Sequence, residues 1–198
     1  MTNLNTDVLI IGAGSTGIAA AHAIKLAVPQ IDVCLVECGQ PMAFTSSQSG
    51  ENYRNWWPHS VMRHFMDDSI DLMERISQDT NNRINLTRRG YMLATRAGDL
   101  STLHGDLATC YGDDDIHPIR VHQTGSFAAY VPPTLAHWKE APNGVDLIAD
   151  RAIIDHHYPY FDPSVVALVH IRRGGTVDSH QMGQYMLECY RELGGKRL

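Results

Sequence analysis

The stretch "DVLIIGAGSTG", residues 7–17, decides the fold. Its apolar run from Val8 to Ile11 is typical of a strand buried on both faces of a parallel sheet. Gly12, Gly14 and Gly17 follow at G-x-G-x-x-G spacing. Because glycine is common, this triplet alone is weak evidence for nucleotide binding, and the residues around it have to test the idea.

The residues that follow complete a β-α-β unit. The segment from Ile18 to Lys25 contains good helix formers, and no helix breaker occurs before Pro29. A second apolar strand, Val33–Val36, ends at Glu37. A right-handed crossover between two parallel strands explains this order, so we predict an α/β fold of the Rossmann type.

The glycines have separate physical roles if the unit binds a dinucleotide. Gly12 permits the sharp turn after the strand, Gly14 lets the backbone approach a pyrophosphate, and Gly17 lets the helix lie against the sheet. The phosphates would then lie at the helix N-terminus, beside Ser15 and Thr16, where the positive end of the helix dipole favours an anion.

Glu37 strengthens this interpretation. It lies 20 residues beyond Gly17, at the end of the second strand, where a carboxylate accepts hydrogen bonds from the adenosine ribose. It would also repel a 2′-phosphate, which disfavours NADP. FAD and NAD offer the same adenosine and pyrophosphate, so these residues leave both cofactors open.

Composition narrows the class of protein. The chain has 198 residues, 43% of them hydrophobic, and a formal net charge of -6. Interspersed charges argue against nucleic-acid binding and against a basic membrane surface, and we found no apolar run that would span a bilayer. Four scattered cysteines and the pair His156-His157 match no metal-ligand spacing, so we expect a cytoplasmic protein with reduced thiols and no metal site.

A serine-rich loop, "TSSQSGENYRNWWP" at residues 45–58, decides between the cofactors. It resembles the loop S-S-x-S-x-G-x-x-R of the D-amino-acid oxidase and sarcosine oxidase (DAO) family of FAD-dependent oxidoreductases. Ser46, Ser47, Ser49 and Arg54 match that pattern, whereas Gly50 stands one place early and Glu51 occupies the usual glycine position.

The resemblance continues more weakly to the end of the chain. "RRGYMLAT", residues 88–95, looks like the strand leading into the family's substrate domain, and the segment around Asp178 looks like its later helix entry. This implies an incomplete Rossmann-like FAD-binding domain with part of an α+β substrate domain. The expected parts are 1–80, the FAD-binding unit; 81–172, the substrate region; and 173–198, a return helix after which the chain ends before the next strand.

The resemblance also implies a function. The protein would oxidise a C-N bond of a small amine or amino acid by hydride transfer to the flavin of FAD. Arg54 is the tentative contact to the flavin or to a substrate carboxylate, with a structural ion pair as the alternative. The implied cofactor-binding residues are Gly12, Gly14, Ser15, Thr16, Gly17, Glu37, Cys38, Thr45, Ser46, Ser47 and Gly50.

Two other functions stay open. The chain could be a non-catalytic dinucleotide-binding subunit or fragment that needs a second chain to complete the FAD domain. It could also be an NAD-dependent dehydrogenase, which the serine-rich loop disfavours. The sequence names neither the substrate nor the electron acceptor, and it does not say whether the flavin is covalently attached.

The remaining segments give further expectations. An apolar stripe with several methionines, spaced as on a helix from Val61 to Ile76, is predicted to pack in the core. The acidic run 113–115 is interpreted as a solvated loop, and residues 116–143 as irregular with one strand near Ile119. "RRGGTVD", residues 172–178, is predicted to be a turn, followed by a helix capped by Ser179.

Overall fold

The computed structural model describes residues 5–112, 116–125, 129–133 and 140–198. These residues form two compact units. The acidic run 113–115 and parts of the predicted irregular region, residues 126–128 and 134–139, lie outside them. In chain order the elements are β1 (Val8–Ile11), α1 (Ser15–Ala27), β2 (Val33–Val36), a 3-10 helix (Thr45–Gln48), β3 (Asn52–Arg54), α2 (Ser60–Asp79), β4 (Tyr91–Thr95), α3 (Ser101–Tyr111), β5 (Ile119–His122), β6 (Val145–Ile148), α4 (Arg151–His157), β7 (Ala167–Ile171), β8 (Gly174–Thr176), α5 (Ser179–Glu192) and β9 (Lys196–Arg197).

The first unit contains the predicted β-α-β arrangement. It comprises the chain up to Glu51 together with Thr80–Asn85 and Val177–Leu198. Strands β1 and β2 are parallel, with Val8 opposite Val33. The apolar side of α1 is fully buried at Ile18 and Ala21, as is Leu35 of β2. The α/β fold predicted from the opening stretch is therefore confirmed.

The expectation that no strand would follow α5 was wrong. Lys196 and Arg197 form β9, which pairs in parallel with Cys34 and Leu35 of β2. The chain reverses within two glycines: Gly194 has a φ of +80°, and a Cβ on Gly195 would lie 2.2 Å from the Tyr190 ring. Because this turn is so short, the residues after it already reach the sheet.

The second unit is built on a mixed sheet. It comprises the described residues of Asn52–Asp79 and Leu86–Thr176. Its strand order is β4-β7-β6-β5, with only the pair β5 and β6 parallel. One apolar core joins α3 to the sheet through Leu107, Tyr111, Val145 and Val169, among others. A second core surrounds Ile154 of α4.

Three strands of this unit, β3, β6 and β8, were not predicted. Strand β6 has Asp146 in its centre, which interrupts the apolar pattern, yet all four of its residues are buried. Strand β8 lies within the segment "RRGGTVD" that we predicted as a turn, and it pairs with β3 in the predicted loop. These strands were missed because they are short and contain residues that rarely mark strands.

Helix α2 corrects a prediction about the core. Ile70 of its apolar stripe is buried, but Val61 and Phe65 are 65% and 62% exposed. The buried side of the helix carries Arg63 and Asp67 instead. Charges tolerate burial when they are paired, and Asp67 is bound by Arg63 at 3.1 Å, by the Asn55 amide at 3.0 Å and by Arg173 at 2.9 Å.

A polar cluster is buried in the sheet of the second unit. Asp146, which is 1% exposed, accepts both a bidentate pair of hydrogen bonds from Arg120 and one bond from the Arg172 Nε. Its Oδ1 also lies 2.7 Å from the His122 Nε2. In the next strand, the His170 Nδ1 lies 2.9 Å from the Tyr130 hydroxyl. These groups are held by hydrogen bonds to other side chains of the cluster.

We expect His170 to make stability fall between about pH 6.5 and pH 4. Burial, and then the charge of Arg172, lower the pKa of His170 to about 4. In this window the unfolded chain binds a proton at this residue and the folded chain does not, which costs up to about 3 kcal/mol. Urea unfolding of the wild type and of His170→Gln across this pH range measures the effect. The His170→Gln variant should have a flatter pH dependence, and exposed His104→Gln should leave the wild-type slope unchanged. Equal slopes for His170→Gln and the wild type would contradict the assignment.

Among the described residues, no helix combines the length and the apolar character needed to cross a membrane.

Candidate functional site

The glycine-rich turn after β1 has the geometry that its residues predict. Gly12 has a φ of +103°, which side-chain-bearing residues rarely adopt, and its amide donates to the Val36 carbonyl at 2.8 Å. At Gly17 an added Cβ would lie only 1.9 Å from the Gly12 carbonyl oxygen. The helix therefore lies against the turn as closely as a backbone without a side chain allows.

The N-terminus of α1 is suited to an anion. Its N-cap is Gly14, which has no side chain to cap the helix, and the first turn carries no acidic residue. The amide groups of a first helical turn lack acceptors within the helix. One of them, that of Ser15, donates to the Ser46 hydroxyl at 3.0 Å. A hydroxyl from the serine-rich loop thus occupies part of the space that an anion would use.

A cavity of about 750 Å³ lies at this helix end. A smaller one of about 190 Å³ shares Gly14, Thr45 and Ser46 with it and is also lined by Glu37. The residues predicted from the sequence that line the larger cavity are Gly12, Gly14, Ser15, Thr16, Gly17, Thr45 and Ser46. Residues far apart in sequence, from the glycine turn and the serine-rich loop, therefore meet around one space.

The Glu37 carboxylate braces the glycine turn. Its Oε2 accepts from the Ala13 amide at 2.9 Å, and its Oε1 accepts from the Gly39 amide at 2.9 Å. The Ala13 amide, followed by that of Gly39, lowers the pKa of Glu37. The side chain is therefore charged at neutral pH, and it stands at the end of β2 where the sequence placed it.

Glu51 explains the displaced glycine of the serine-rich loop. Its φ is +55°, the left-handed conformation for which glycine is the usual residue. Its Oε1 accepts from the Ser179 amide at 3.0 Å and from the Ser179 hydroxyl at 2.7 Å, at the start of α5. The loop keeps a glycine-like backbone at this position, and the carboxylate adds bonds that glycine cannot make.

We expect Glu51→Ala to destabilise the protein more than Glu51→Gly. Both changes remove the bonds to Ser179, but only alanine keeps a side chain in the left-handed conformation, so the two should differ by about 1 kcal/mol. Free energies of unfolding in urea measure the difference. If the two variants were equally stable, the backbone at this position would not be strained.

Four of the predicted site residues do not line either cavity. Cys38 is exposed, with its thiol 3.4 Å from the Glu37 Oε1. The Ser47 hydroxyl is 2.7 Å from the backbone carbonyls of Ala43 and Phe44, and Gly50 is exposed. Arg54 belongs to the second unit, where its guanidinium carbon lies 4.7 Å from the Tyr91 ring centroid.

Several lining residues were not among the predicted site residues. These are Ile10, Ile11, Ala20, Gln48 and Ser49 in the larger cavity, and Met42, Ala43 and Phe44 in the smaller one. Ser49 matches the family's loop pattern but was not named as a site residue, and Gln48 stands beside it in the same loop. The apolar residues carry no chemical signal of their own, and only the fold brings them to the site.

Asp178, not Ser179, caps α5, because its carboxylate accepts from the Gln181 amide at 2.9 Å. The Ser179 hydroxyl is instead engaged with Glu51. The predicted helix is present, and its N-cap is Asp178, one residue before the predicted cap.

Comparison with known proteins gives a family match over nearly the whole chain. The profile of the family described as "FAD dependent oxidoreductase" (DAO) matches residues 7–198. No curated protein shows a significant match to the sequence.

Solved structures share the fold at low sequence identity. L-proline dehydrogenase from P. horikoshii is 14% identical with a TM-score of 0.76, and the match covers 100% of this chain and 44% of that one. Glycine oxidase from Bacillus cereus is 16% identical with a TM-score of 0.66, covering 98% and 47%. L-amino acid deaminase from Proteus vulgaris is 14% identical with a TM-score of 0.68, covering 100% and 45%. The chain therefore spans less than half the length of these structures.

Proposed function

Because the chain belongs to the DAO family of FAD-dependent oxidoreductases, we propose that it binds FAD and serves the oxidation of a C-N bond in an amine or amino acid. The observation that carries this proposal is the cavity of about 750 Å³ at the N-terminus of α1, lined by both the glycine turn and the serine-rich loop. An open helix N-terminus beside a glycine turn is the established way in which a protein binds a pyrophosphate.

The residues present fit a dinucleotide. A Cβ at Gly17 would fill the space between helix and turn, and no acidic side chain opposes an anion in the first turn of α1. We assign the pyrophosphate to Gly12, Gly14, Ser15, Thr16 and Gly17. Glu37 would accept from the ribose hydroxyls while it braces the turn, and Thr45, Ser46 and Ser47 would lie along the flavin side.

When bound, FAD would supply the redox chemistry, as the hydride acceptor for oxidation of the substrate C-N bond. The contribution of this chain is binding and orientation. The glycine turn holds the phosphates by backbone amides, whose positions are fixed by the bond of Glu37 to Ala13. The Ser46 hydroxyl, already bonded to the Ser15 amide, would exchange this bond for one to the cofactor.

Arg54 is the candidate contact for a flavin or a substrate carboxylate. Its guanidinium carbon lies 5.0 Å from the centroid of the Trp57 ring and 4.7 Å from that of Tyr91, so its position is held by cation-π contacts. Its Nε is buried and has no hydrogen-bond partner among the described residues. A buried donor without an acceptor favours a ligand role over the structural ion pair that was the alternative.

A second candidate function is a dinucleotide-binding subunit completed by another chain. In the part of the chain that the structure describes, strand β1 stands at one edge of its sheet, and its side chains Leu9 and Ile11 are 56% and 83% exposed. A free strand edge with apolar side chains favours pairing with a further strand. A complementing chain would both cover these side chains and contribute the rest of an active site.

Absorbance spectroscopy tests the proposal directly. The purified chain is titrated with FAD and, separately, with NAD, and the FAD complex is mixed anaerobically with a panel of amines and amino acids. Bound flavin that is bleached by one of these substrates supports the oxidoreductase. Bound flavin that stays oxidised with every substrate supports the subunit requiring a partner. Binding of NAD but not FAD would overturn the proposed FAD site and favour the NAD-dependent dehydrogenase.

Glu37→Gln should weaken FAD binding by about tenfold, because glutamine loses the charge that two backbone amides and the ribose share. Quenching of flavin fluorescence measures the dissociation constant. The matched control is Glu192→Gln at the exposed end of α5, which should bind FAD like the wild type. An unchanged affinity in Glu37→Gln would remove this residue from the site.

A further inference from the structure

A third cavity, lined by residues of the second unit, has an unusual concentration of arginine. Its volume is about 200 Å³, and Arg88, Arg89, Arg172, His170 and Glu140 line it together with apolar residues. Pockets for drug-sized ligands are larger, about 300 to 1,000 Å³. The size of this cavity suits a molecule of only a few heavy atoms.

The cationic wall of the cavity is built from the sheet. Arg172 is 3% exposed, follows β7 and is fixed by the bond of its Nε to Asp146. Its guanidinium carbon also lies 5.0 Å from the centroid of the Tyr130 ring. Asp146 also accepts two hydrogen bonds from Arg120. One buried carboxylate thus faces two buried or half-buried guanidinium groups, which leaves positive charge for another anion.

His170 adds a fixed neutral surface rather than a further charge. Its Nε2 donates to the Arg89 carbonyl at 3.0 Å, so its Nδ1 accepts from the Tyr130 hydroxyl at 2.9 Å. Because its pKa is lowered to about 4, it is uncharged at neutral pH. The charged groups of the lining are therefore the three arginines and Glu140. Arg88 also pairs with Glu74 at 3.7 Å, and Arg172 shares Asp146 with Arg120. Four arginines thus stand beside three carboxylates, and the positive charges prevail.

We propose that this cavity binds the carboxylate group of a small organic anion. Guanidinium groups pair with planar carboxylates through two parallel hydrogen bonds, and the apolar lining, which includes Pro132, Pro133 and Pro142, accommodates a short hydrocarbon part. The inference does not depend on FAD binding, because its lining residues are distinct from those of the cavities at α1.

Isothermal titration calorimetry of the full chain without cofactor tests the proposal, with propionate as the probe. Propylamine has a similar shape with the opposite charge, and inorganic phosphate is an anion without a hydrocarbon part. We expect saturable binding of propionate and none of propylamine. Binding of phosphate alone, or no saturable binding of propionate, would overturn the proposal.

Three variants locate the binding. Arg89→Ala should raise the dissociation constant of propionate by about tenfold. The substitution keeps the Arg89 backbone carbonyl, which accepts the hydrogen bond from His170. Glu140→Gln removes the negative charge of the lining and should strengthen binding, an effect that a folding defect would not produce. Arg75→Ala, an exposed arginine of α2 outside the cavity, is the control. If all three variants bound propionate with equal affinity, the propionate site would lie outside this cavity.

Discussion

Gly17→Ala should abolish FAD binding and lower the free energy of unfolding by about 3 kcal/mol. The added Cβ would lie 1.9 Å from the carbonyl oxygen of Gly12 and 3.1 Å from its carbonyl carbon. Both atoms are backbone, so the clash cannot be relieved by rotating a side chain. The start of α1 must move away from the turn, and the amide groups that would hold the pyrophosphate move with it. Flavin fluorescence and urea unfolding measure the two effects.

The control for this experiment is Gly105→Ala. Gly105 lies within α3, and a Cβ there would meet no atom within 4 Å. Alanine inside a helix is favoured over glycine by about 0.5 to 1 kcal/mol, so this variant should be slightly more stable and should bind FAD normally. Normal FAD binding by Gly17→Ala would show that the close approach of helix and turn is not required.

Asp146→Asn should reduce the free energy of unfolding by about 3 to 5 kcal/mol at neutral pH, since removal of one charge leaves buried partners uncompensated. Burial alone would raise the pKa of Asp146, but the bonds from Arg120 and Arg172 outweigh it and hold this pKa well below its usual range. The folded state therefore keeps the carboxylate charged when the unfolded state would take up a proton. Its stabilising effect is present above about pH 4 and is lost as the pH falls.

Urea unfolding of the wild type and of Asp146→Asn should consequently give curves that converge as the medium becomes acidic. Asp155→Asn is the matched control, because Asp155 is also paired with an arginine, Arg151, but its side chain is 58% exposed. An exposed helix pair of this kind contributes about 0.5 kcal/mol or less. A deficit in Asp146→Asn as small as that of the control would mean that the buried cluster does not stabilise the sheet.

The sequence could predict the first unit because its signals are local. A strand, a glycine turn, a helix and a second strand follow within residues 7–37, and each is encoded by its own residues. The serine-rich loop was assigned to the DAO family by its pattern, and the family match over residues 7–198 confirms that assignment. Glu37 could be placed for the same reason, since the end of β2 fixes its position beside the turn.

The second unit was harder to predict because its signals depend on distant partners. Asp146 looks like a strand breaker until Arg120 and Arg172 are known to bind it. The same holds for α2, where the pairing of Asp67 with Arg173, more than 100 residues away, decides which side of the helix is buried. A periodic apolar pattern shows that a helix has two sides, but the partners of its charges determine which side faces the core.

Glu51 has a consequence for how this loop can change in evolution. Its left-handed backbone suits glycine, and its carboxylate gives a second way to satisfy the position through Ser179. Glutamate and glycine codons differ by a single base, so a lineage can pass between these two solutions without an intermediate residue. Any other side chain without a hydrogen-bond acceptor would keep the strained left-handed backbone but lose the hydrogen bonds to Ser179. The displaced glycine is therefore best understood as one of two neighbouring solutions to the same backbone requirement.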